Sequence, residues 1–264
     1  MSFSAKNLGY KIGTRSLLRG VDIELKPGQL HAVIGPNGSG KSTLLKLLAG
    51  ELRPDQGQIS LNQKALHQWS ALQQAQQRAV LPQSDHLQFS FTAEQVVTLG
   101  RMPCLKSPPE TERIIVSDAL KASDALHLAD REYPTLSGGE RARVQLARIL
   151  VQVWEPVDFG PRYLLLDEPT ANLDLSHQHL CLQSAKSFTS QDAGALIVVH
   201  DPNLALAYAD QVTLLCCGEV VATGTPEQVL TVENLQRVYG VRIEILKSAH
   251  TGNAYIAVDR RPPS

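Results

Sequence analysis

Gly35-Pro-Asn-Gly-Ser-Gly-Lys-Ser-Thr43 is the stretch that decides the fold of this chain. It has the Gly-x4-Gly-Lys-Ser spacing of a phosphate-binding loop. The apolar run His31–Ile34 leads into it as a buried parallel strand would, and a helical pattern from Lys41 to Ala49 follows it. A glycine-rich turn matches this spacing by accident in roughly one chain in a hundred of this length. The strand–loop–helix context lowers that chance further, so we expect nucleotide binding.

The chemistry of a triphosphate explains the spacing. Gly35, Gly38 and Gly40 let the backbone turn tightly, so that successive N–H groups point inward at the anion. The N-terminus of the next helix adds unpaired N–H groups and the positive end of its dipole. Lys41 is expected to reach the β- and γ-phosphates, and the Ser42 hydroxyl to ligate Mg²⁺. The complete nucleotide-binding loop is Gly35, Pro36, Asn37, Gly38, Ser39, Gly40, Lys41, Ser42 and Thr43.

The bulk composition is that of an ordinary globular protein. The chain has 264 residues, of which 43% are hydrophobic and 19% charged, and its net charge is −1. One large domain with a subdomain is expected, and no basic field favours nucleic acid as a partner. We see no signal peptide and no apolar run near the ~20 residues of a membrane span, so we expect a cytoplasmic protein that can dock on a membrane partner.

The four cysteines form no Cys-x-x-Cys pair. Cys216 and Cys217 lie in an apolar run and are interpreted as packing residues of a strand. His177 and His179 are two positions apart without a carboxylate or cysteine cluster, which favours a solvated helix face. We predict no zinc held by the protein.

Two adjacent carboxylates end a second buried strand pattern, Arg162-Tyr-Leu-Leu-Leu-Asp167, which continues with Glu168. Two acids are poor core residues, and ligands bind at the carboxyl edge of an open α/β sheet. Asp167 is therefore expected to hold Mg²⁺ through water, and Glu168 to act as the general base for the attacking water.

Three further residues have a structural and a functional interpretation. Gln83 follows the strand pattern Arg78–Pro82 and is either a loop amide or a group that ligates Mg²⁺ or orients water. His200 follows the strand pattern Gly194–Val199 and is either structural or directed at the γ-phosphate. Tyr10 either packs at the end of the first strand or stacks on adenine, an interaction worth roughly 1–3 kcal/mol by analogy with base–aromatic stacking.

Residues 84–153 are mostly helical in pattern and are interpreted as an inserted helical subdomain. Within it, Leu136-Ser-Gly-Gly-Glu140 opens a helix that carries Arg141 and Arg148 off its apolar face. Ser137, Gly138 and Gly139 are either a plain N-cap or a second anion site.

Other expected elements are simpler. We expect two N-terminal strands, a strand at Gly57–Leu61, a glutamine-rich helix, three helices in the subdomain, further C-terminal helices and two hairpins. Their expected bounds are Ser2–Tyr10, Gly20–Leu25, Gln63–Gln77, Thr92–Leu99, Glu110–Ser123, Gly138–Val153, Leu175–Phe188, Leu204–Ala209, Val212–Cys217 with Glu219–Thr223 around Gly218, Pro226–Leu230, Glu233–Tyr239, and Val241–Leu246 with Ala254–Val258. The last residues, Arg260–Ser264, are expected to fray.

The order of these motifs resembles the ATP-binding subunit of ABC transporters, over Tyr10 to about Leu230. The resemblance implies a P-loop NTPase of the α/β class, with a RecA-like core of mostly parallel strands, an N-terminal antiparallel β subdomain and the helical insertion. The core is then 1–83 and 154–264, and the insertion is 84–153. Site roles implied by the family are adenine stacking by Tyr10, Mg²⁺ and partner sensing by Gln83, a γ-phosphate contact by His200, recognition of the other subunit's ATP by Ser137, Gly138 and Gly139, and contact between cassettes by Asp174.

The same resemblance implies a head-to-tail dimer of two copies that closes on two ATP molecules with Mg²⁺ and reopens on hydrolysis, a rigid-body switch. It also implies a peripheral position on the cytoplasmic face of a bacterial inner membrane, bound to permease subunits, with a periplasmic substrate-binding protein in the full complex. Two departures are expected to be tolerated: Glu140 replaces a common glutamine, and Ala171-Asn172 replaces the usual Ser-Ala.

The transported substrate is indicated only by resemblance to particular branches of the family. The Gln83–His86 loop and Val97–Arg101 look like importers for vitamin B12, iron–siderophores and haem. The extension Val151–Arg162, together with Asp174–His179, is most similar to the haemin-import branch in Gram-negative bacteria. The alternatives are the siderophore or cobalamin version, a soluble ABC ATPase acting on ribosomes or DNA, and a nonhydrolysing regulator. The chain lacks the second cassette or coiled-coil insertion usual in the soluble class, and Glu168 argues against the regulator.

Overall fold

The computed structural model describes residues 1–83, 90–104, 107–171 and 173–259. The strands in this part of the chain are β1 Phe3–Ile12, β2 Arg15–Leu25, β3 Leu30–Ile34, β4 Gln56–Leu61, β5 Lys64–Ala65, β6 Arg78–Leu81, β7 Arg162–Asp167, β8 Ala193–Val198, β9 Gln211–Cys216, β10 Glu219–Gly224, β11 Ile243–Lys247 and β12 Ala254–Val258. The α-helices are α1 Lys41–Leu48, α2 Ala71–Gln77, α3 Ala93–Leu99, α4 Pro109–Ala122, α5 Gly138–Gln152, α6 Leu175–Thr189, α7 Pro202–Tyr208, α8 Pro226–Val229 and α9 Val232–Tyr239.

The chain divides into two compact units that interleave in sequence. The first contains Met1–Phe3, Leu25–Gln29 and Ser60–Ile197. The second contains Ser4–Glu24, Leu30–Ile59 and Val198–Ser264, of which residues up to 259 are described. None of the described helices is long and apolar enough to cross a membrane.

Strands β8, β7 and β6 lie side by side, in that order, in the first unit. β6 and β7 run parallel, with a register that begins at Arg78↔Tyr163 and ends at Leu81↔Leu166. All six residues of β7 are buried, as expected for a parallel strand covered on both faces. The loops that leave the two strands therefore emerge at the same edge, which is where the candidate site residues of this unit lie.

Helices α3, α4 and α5 pack together in the same unit. Helix α3 begins with a capping box in which Thr92 and Gln95 exchange hydrogen bonds, close to the start expected at Thr92. The side chain of Arg101 is fully buried and bonds Glu112 at 2.7 Å and Glu155 at 2.5 Å. The two carboxylates satisfy a guanidinium that would otherwise be costly to bury, and Glu155 belongs to the extension Val151–Arg162.

Strands β10, β9 and β3 are neighbours in the second unit. β9 runs parallel to β3, with His31 opposite Gln211 and Ile34 opposite Leu214, while β10 returns antiparallel to β9. β2, β1 and β4 are neighbours in the antiparallel N-terminal sheet, and β11 and β12 form the last hairpin. The expected α/β class, with mostly parallel core strands and antiparallel additions, is confirmed.

Two local expectations were wrong. The helix expected over Gln63–Gln77 begins only at Ala71, where Ser70 and Gln73 form a capping box. Before it, β4 and β5 form a hairpin whose turn residues, Asn62 and Gln63, have φ of 49° and 68°. A two-residue hairpin turn of this kind needs left-handed residues, and asparagine adopts that conformation readily.

Cys217 is likewise not a packed strand residue. β9 ends at Cys216, and Cys217 is exposed with φ of 51°, as the first of two turn residues before β10. The turn at Gly218 is confirmed, but its geometry requires a second left-handed residue, and Cys217 supplies it. Residues 84–86, Asn172 and the expected frayed tail 260–264 lie outside the described residues.

Candidate nucleotide site

The phosphate loop joins β3 to α1 as its sequence predicts. All of β3 is buried, and Gly35, Gly38 and Gly40 have φ of 152°, 76° and 106°. A Cβ on Gly35 would lie 2.0 Å from the carbonyl oxygen of Leu215, and one on Gly40 would lie 2.9 Å from the carbonyl oxygen of Leu17. These two glycines are required by close backbone approach as well as by conformation, whereas Gly38 is surrounded by open space and is required by conformation alone.

Lys41 is held by the loop that it follows. Its side chain is almost completely buried, and its Nζ donates to the carbonyl oxygens of Gly35 and Pro36 at 2.9 Å each. These contacts hold the ammonium inside the glycine-rich turn, next to the N-terminus of α1, where its positive charge favours an anion. The loop backbone, the start of α1 and Lys41 together fit a phosphate group.

His200 and Tyr10 belong to the same unit as this loop. The N–H of Val199 donates to the carbonyl oxygen of Val33 at 3.3 Å, so the chain end that carries His200 runs beside the end of β3. His200 is exposed, while Tyr10 is half-buried on β1. The structure therefore brings His200 to the sheet edge that holds the phosphate loop.

Gln83 and Glu168 meet in the first unit. Each lies two residues beyond the last matched pair of β6 and β7, Leu81 and Leu166, so the parallel register sets them side by side. Gln83 Nε2 donates to Glu168 Oε2 at 2.9 Å. Glu168 has φ of 52°, a left-handed conformation that costs a non-glycine residue free energy and that occurs preferentially at functional sites.

A cavity of about 300 Å³ opens beside this pair. Its lining includes Gln83, Asp167 and Glu168, together with Gly138 and Arg141 from the first turns of α5. Asp167 is buried at the end of β7. An amide, two carboxylates and a helix N-terminus thus line one concave surface. The carboxylates suit a cation or a water molecule, and the helix N-terminus with Arg141 suits an anion.

The signature segment, Ser137 to Gly139, lies at the start of helix α5. Ser137 is the N-cap of α5: its Oγ accepts from the N–H of Glu140 at 3.3 Å, and Glu140 accepts from the N–H of Ser137 at 2.7 Å. Hydrogen bonds from Ser137 and the nearby Arg131 hold the pKa of the Glu140 carboxyl below its usual range. Glu140, one of the two departures from the family pattern, therefore closes a capping box, and Gly138 has nothing within 4 Å of its would-be Cβ.

Asp174 is the N-cap of α6 and is tied down by its neighbours. Its Oδ1 accepts from the N–H of His177, the hydroxyl of Ser176 and the Nδ1 of His177, at 2.9, 2.9 and 2.6 Å. These bonds lower the pKa of Asp174 to about 2. The sequence interpretation missed this role of His177. The spacing of three residues from an N-cap aspartate is the signal that points to it.

Comparison with known proteins decides the family. The family profile described as ABC transporter matches residues 18–171. The chain belongs to the ABC transporter family. In the solved structures, the ABC cassette resembles cbiO1 of Clostridium perfringens, described as part of the ABC transporter complex cbiONQ, with 29% identity, a TM-score of 0.75 and coverage of 89% of this chain and 92% of that one. It also resembles an ATP-binding subunit of an ABC transporter, with 26% identity, a TM-score of 0.74 and coverage of 92% and 95%.

Curated relatives match over nearly the whole ABC cassette. Hemin import ATP-binding protein HmuV of Gloeobacter violaceus is 47% identical over 94% of this chain and 90% of its own length. The protein of the same name from Myxococcus xanthus is 44% identical over 100% and 99%, and that from Pseudomonas aeruginosa is 46% identical over 95% and 97%. The cassette is thus an ATP-binding enzyme that couples ATP hydrolysis to transport.

Proposed function

We propose that this chain is the ATP-hydrolysing subunit of an importer that carries haemin across a bacterial inner membrane. The observation that carries the substrate is the shared name of its relatives, with the Myxococcus xanthus match covering 100% of this chain. That coverage includes the extension Val151–Arg162, whose Glu155 bonds the buried Arg101. The extension is therefore fixed to the helical part of the cassette, where a branch-specific contact would be presented.

The phosphate loop is proposed to hold ATP. Lys41 already lies within the loop and would exchange its carbonyl contacts for β- and γ-phosphate oxygens. Tyr10 stacks on the adenine, and His200 contacts the γ-phosphate. The remaining residues of the loop supply N–H groups and close backbone approach: Gly35, Pro36, Asn37, Gly38, Ser39, Gly40, Ser42 and Thr43.

Mg²⁺ is proposed to accompany ATP. The Ser42 hydroxyl, the Gln83 amide and the Asp167 carboxylate are hard oxygen donors, which suit this ion. Bound Mg²⁺ would neutralise charge on the phosphates. Glu168 is the proposed general base, because its carboxylate lines the cavity of the first unit and accepts a hydrogen bond that fixes its orientation.

Two copies of the chain are proposed to pair head to tail, so that Ser137, Gly138 and Gly139 of one copy bind the γ-phosphate of ATP held by the other. Support comes from the capping geometry, which presents the N-terminus of a fifteen-residue helix with no side chain at Gly138 or Gly139. Asp174 would then cross between the cassettes. Permease subunits, a periplasmic binding protein and a peripheral position on the cytoplasmic membrane face complete the proposal.

The test is transport in liposomes. The cassette is reconstituted with its own permease, ATP and Mg²⁺, and the cognate binding protein is loaded in turn with haemin, cobalamin or a ferric siderophore. We expect ATPase stimulation and uptake with haemin alone, and neither in a matched Glu168→Gln preparation. Response to another ligand would discard haemin and keep the ATPase assignment. ATP hydrolysis without uptake of any ligand would contradict the importer itself.

A further inference from the structure

The hairpin between β9 and β10 carries two adjacent thiols at its tip. Cys216 is the last residue of β9 and pairs with Glu219, so Cys217 and Gly218 alone form the turn. The sulfur atoms of Cys216 and Cys217 are 3.7 Å apart. Cys217 is exposed and Cys216 is half-buried. Two thiols in contact, one of them open to solvent, form a pair that a small oxidant can reach.

This tip is bonded to the phosphate loop. The N–H of Gly218 donates to the carbonyl oxygen of Ser39 at 3.0 Å, and the carbonyl oxygen of Gly218 accepts from Arg19 at 2.8 Å. One residue before the thiols, the carbonyl of Leu215 lies against Gly35 so closely that no Cβ fits between them. The backbone around the thiol pair therefore forms one wall of the loop that binds phosphate.

We propose that Cys216 and Cys217 are a reversible thiol–disulfide modification site that controls ATP affinity. The oxidant is a small disulfide of the glutathione class. The Cys217 thiolate attacks one sulfur of that disulfide, forming a mixed disulfide and releasing one small thiolate. The Cys216 thiolate then attacks the Cys217 sulfur, closing the bond between the two cysteines and releasing the second thiolate. The two protons lost by the cysteines go to the two released thiols, so atoms and electrons balance.

The order of attack follows from exposure. Thiol–disulfide exchange requires a thiolate and access to the oxidant. Burial and the neighbouring Cys217 raise the pKa of the Cys216 thiol, which disfavours it as the first nucleophile. Cys216 nevertheless lies next to the sulfur that becomes activated, so it acts as the resolving thiol.

Closing this ring changes the hairpin tip. Consecutive Cα atoms are about 3.8 Å apart, whereas disulfide-linked residues usually have Cα atoms about 4.4–6.8 Å apart. The peptide bond fixes the shorter distance, so the ring between Cys216 and Cys217 can close only if φ and ψ at these two residues change. Such a change at the residue before Gly218 would displace its N–H from the carbonyl oxygen of Ser39. A disulfide closed under such a constraint is also easily reduced, as a reversible switch needs. Loss of one loop hydrogen bond predicts about a tenfold weaker ATP affinity.

The test measures modification and ATP binding on the full chain. The protein is treated with glutathione disulfide, the peptide containing residues 216–217 is weighed by mass spectrometry, and the Kd for ATP is measured before and after treatment. We expect loss of two hydrogens from that peptide, about a tenfold rise in Kd and full recovery with dithiothreitol. Cys104→Ser, which leaves the pair intact, should behave like the wild type.

Cys217→Ser should bind ATP normally and ignore the oxidant, and Cys217→Asn, which suits a left-handed turn position, provides a second variant if the first misfolds. An unmodified pair, a lasting glutathione adduct without ring closure, or an unchanged Kd after closure would each overturn the inference. Failure of the reduced wild type to bind ATP would instead contradict the nucleotide site, so the two outcomes are distinguishable.

Discussion

Gln83 Nε2 lies 2.9 Å from Glu168 Oε2 although 85 positions separate the two residues in sequence. The parallel register of β6 and β7 brings them together, and the hydrogen bond orients the carboxylate. Because the Gln83 amide is neutral, it can donate a hydrogen bond to the Glu168 carboxylate without neutralising the negative charge of that group. The orientation of the Glu168 carboxylate is therefore set within the chain itself, as the proposed role of general base requires.

Glu168→Gln should bind ATP as the wild type does and lose hydrolysis by roughly 10²–10⁴-fold, because a carboxamide accepts no proton from water. ATP should then hold the two copies closed, which gel filtration detects as a dimer. The exposed Glu51→Gln is the matched control and should keep full activity. Wild-type turnover in the Glu168 variant would remove it from the base role.

Ser137→Arg tests whether the helix start of α5 serves another copy's nucleotide. The substitution removes the N-cap oxygen that Glu140 bonds and places a bulky cation at the exposed end of the helix. We expect ATP binding to the monomer to stay intact while hydrolysis is abolished. Loss of the cap should lower the free energy of unfolding by about 1 kcal/mol.

Ser137→Ala is the control for this experiment, since it removes the cap without adding bulk. It should show the same stability loss and keep measurable hydrolysis. If Ser137→Arg abolished ATP binding by the monomer, the signature would belong to its own chain's site.

Gly35→Ala and Gly38→Ala separate close approach from backbone conformation. Both positions have positive φ, but only at Gly35 would a Cβ meet a carbonyl, that of Leu215, at 2.0 Å. Gly38→Ala should cost about 1–2 kcal/mol of unfolding free energy from conformation alone. Gly35→Ala should cost roughly twice as much and should weaken ATP binding more strongly, because the loop must move. Equal effects in thermal unfolding and ATP titration would show that the contact with Leu215 does not matter.

Much of this fold and of the candidate site could be predicted from the sequence, because the patterns that indicate them span only a few neighbouring residues. The spacing of the phosphate loop, the two acids that follow a buried run and a serine at the start of a helical pattern are each signals carried by a few neighbouring residues. The turn at Asn62 was harder to predict, because the residues that follow it are rich in glutamine and their composition favours a helix. The turn conformation of Cys217 depends on the register in which β9 and β10 pair. The apolar run that contains Cys217 does not by itself show where that register ends the strand.

The contacts of His31 also depend on residues from other strands, so they could not be predicted from the sequence around it. His31 stands in the strand before the phosphate loop and was treated in sequence as part of an apolar run. In the structure it is buried, with Nε2 2.8 Å from Thr213 Oγ1 and Nδ1 3.2 Å from the carbonyl oxygen of Glu24. Thr213 in turn lies 3.0 Å from Thr223, so a polar chain crosses from β3 to β9 and β10.

This histidine predicts how stability depends on pH. Burial lowers the pKa of His31 to about 4 in the folded protein, against about 6.5 when unfolded. The folded state thus favours the neutral ring, and its full stability is present above pH 6.5. As the pH falls toward 4, the unfolded chain takes up the proton first, so folding loses free energy. Between pH 7 and 5 the loss from this group should be about 2 kcal/mol.

Urea unfolding at pH 7 and at pH 5 measures this loss of stability. His31→Gln should be less stable at pH 7 yet lose about 2 kcal/mol less than the wild type on acidification, whereas the exposed His250→Gln should follow the wild type. An identical pH dependence in His31→Gln and wild type would mean that His31 is not buried neutral beside Thr213.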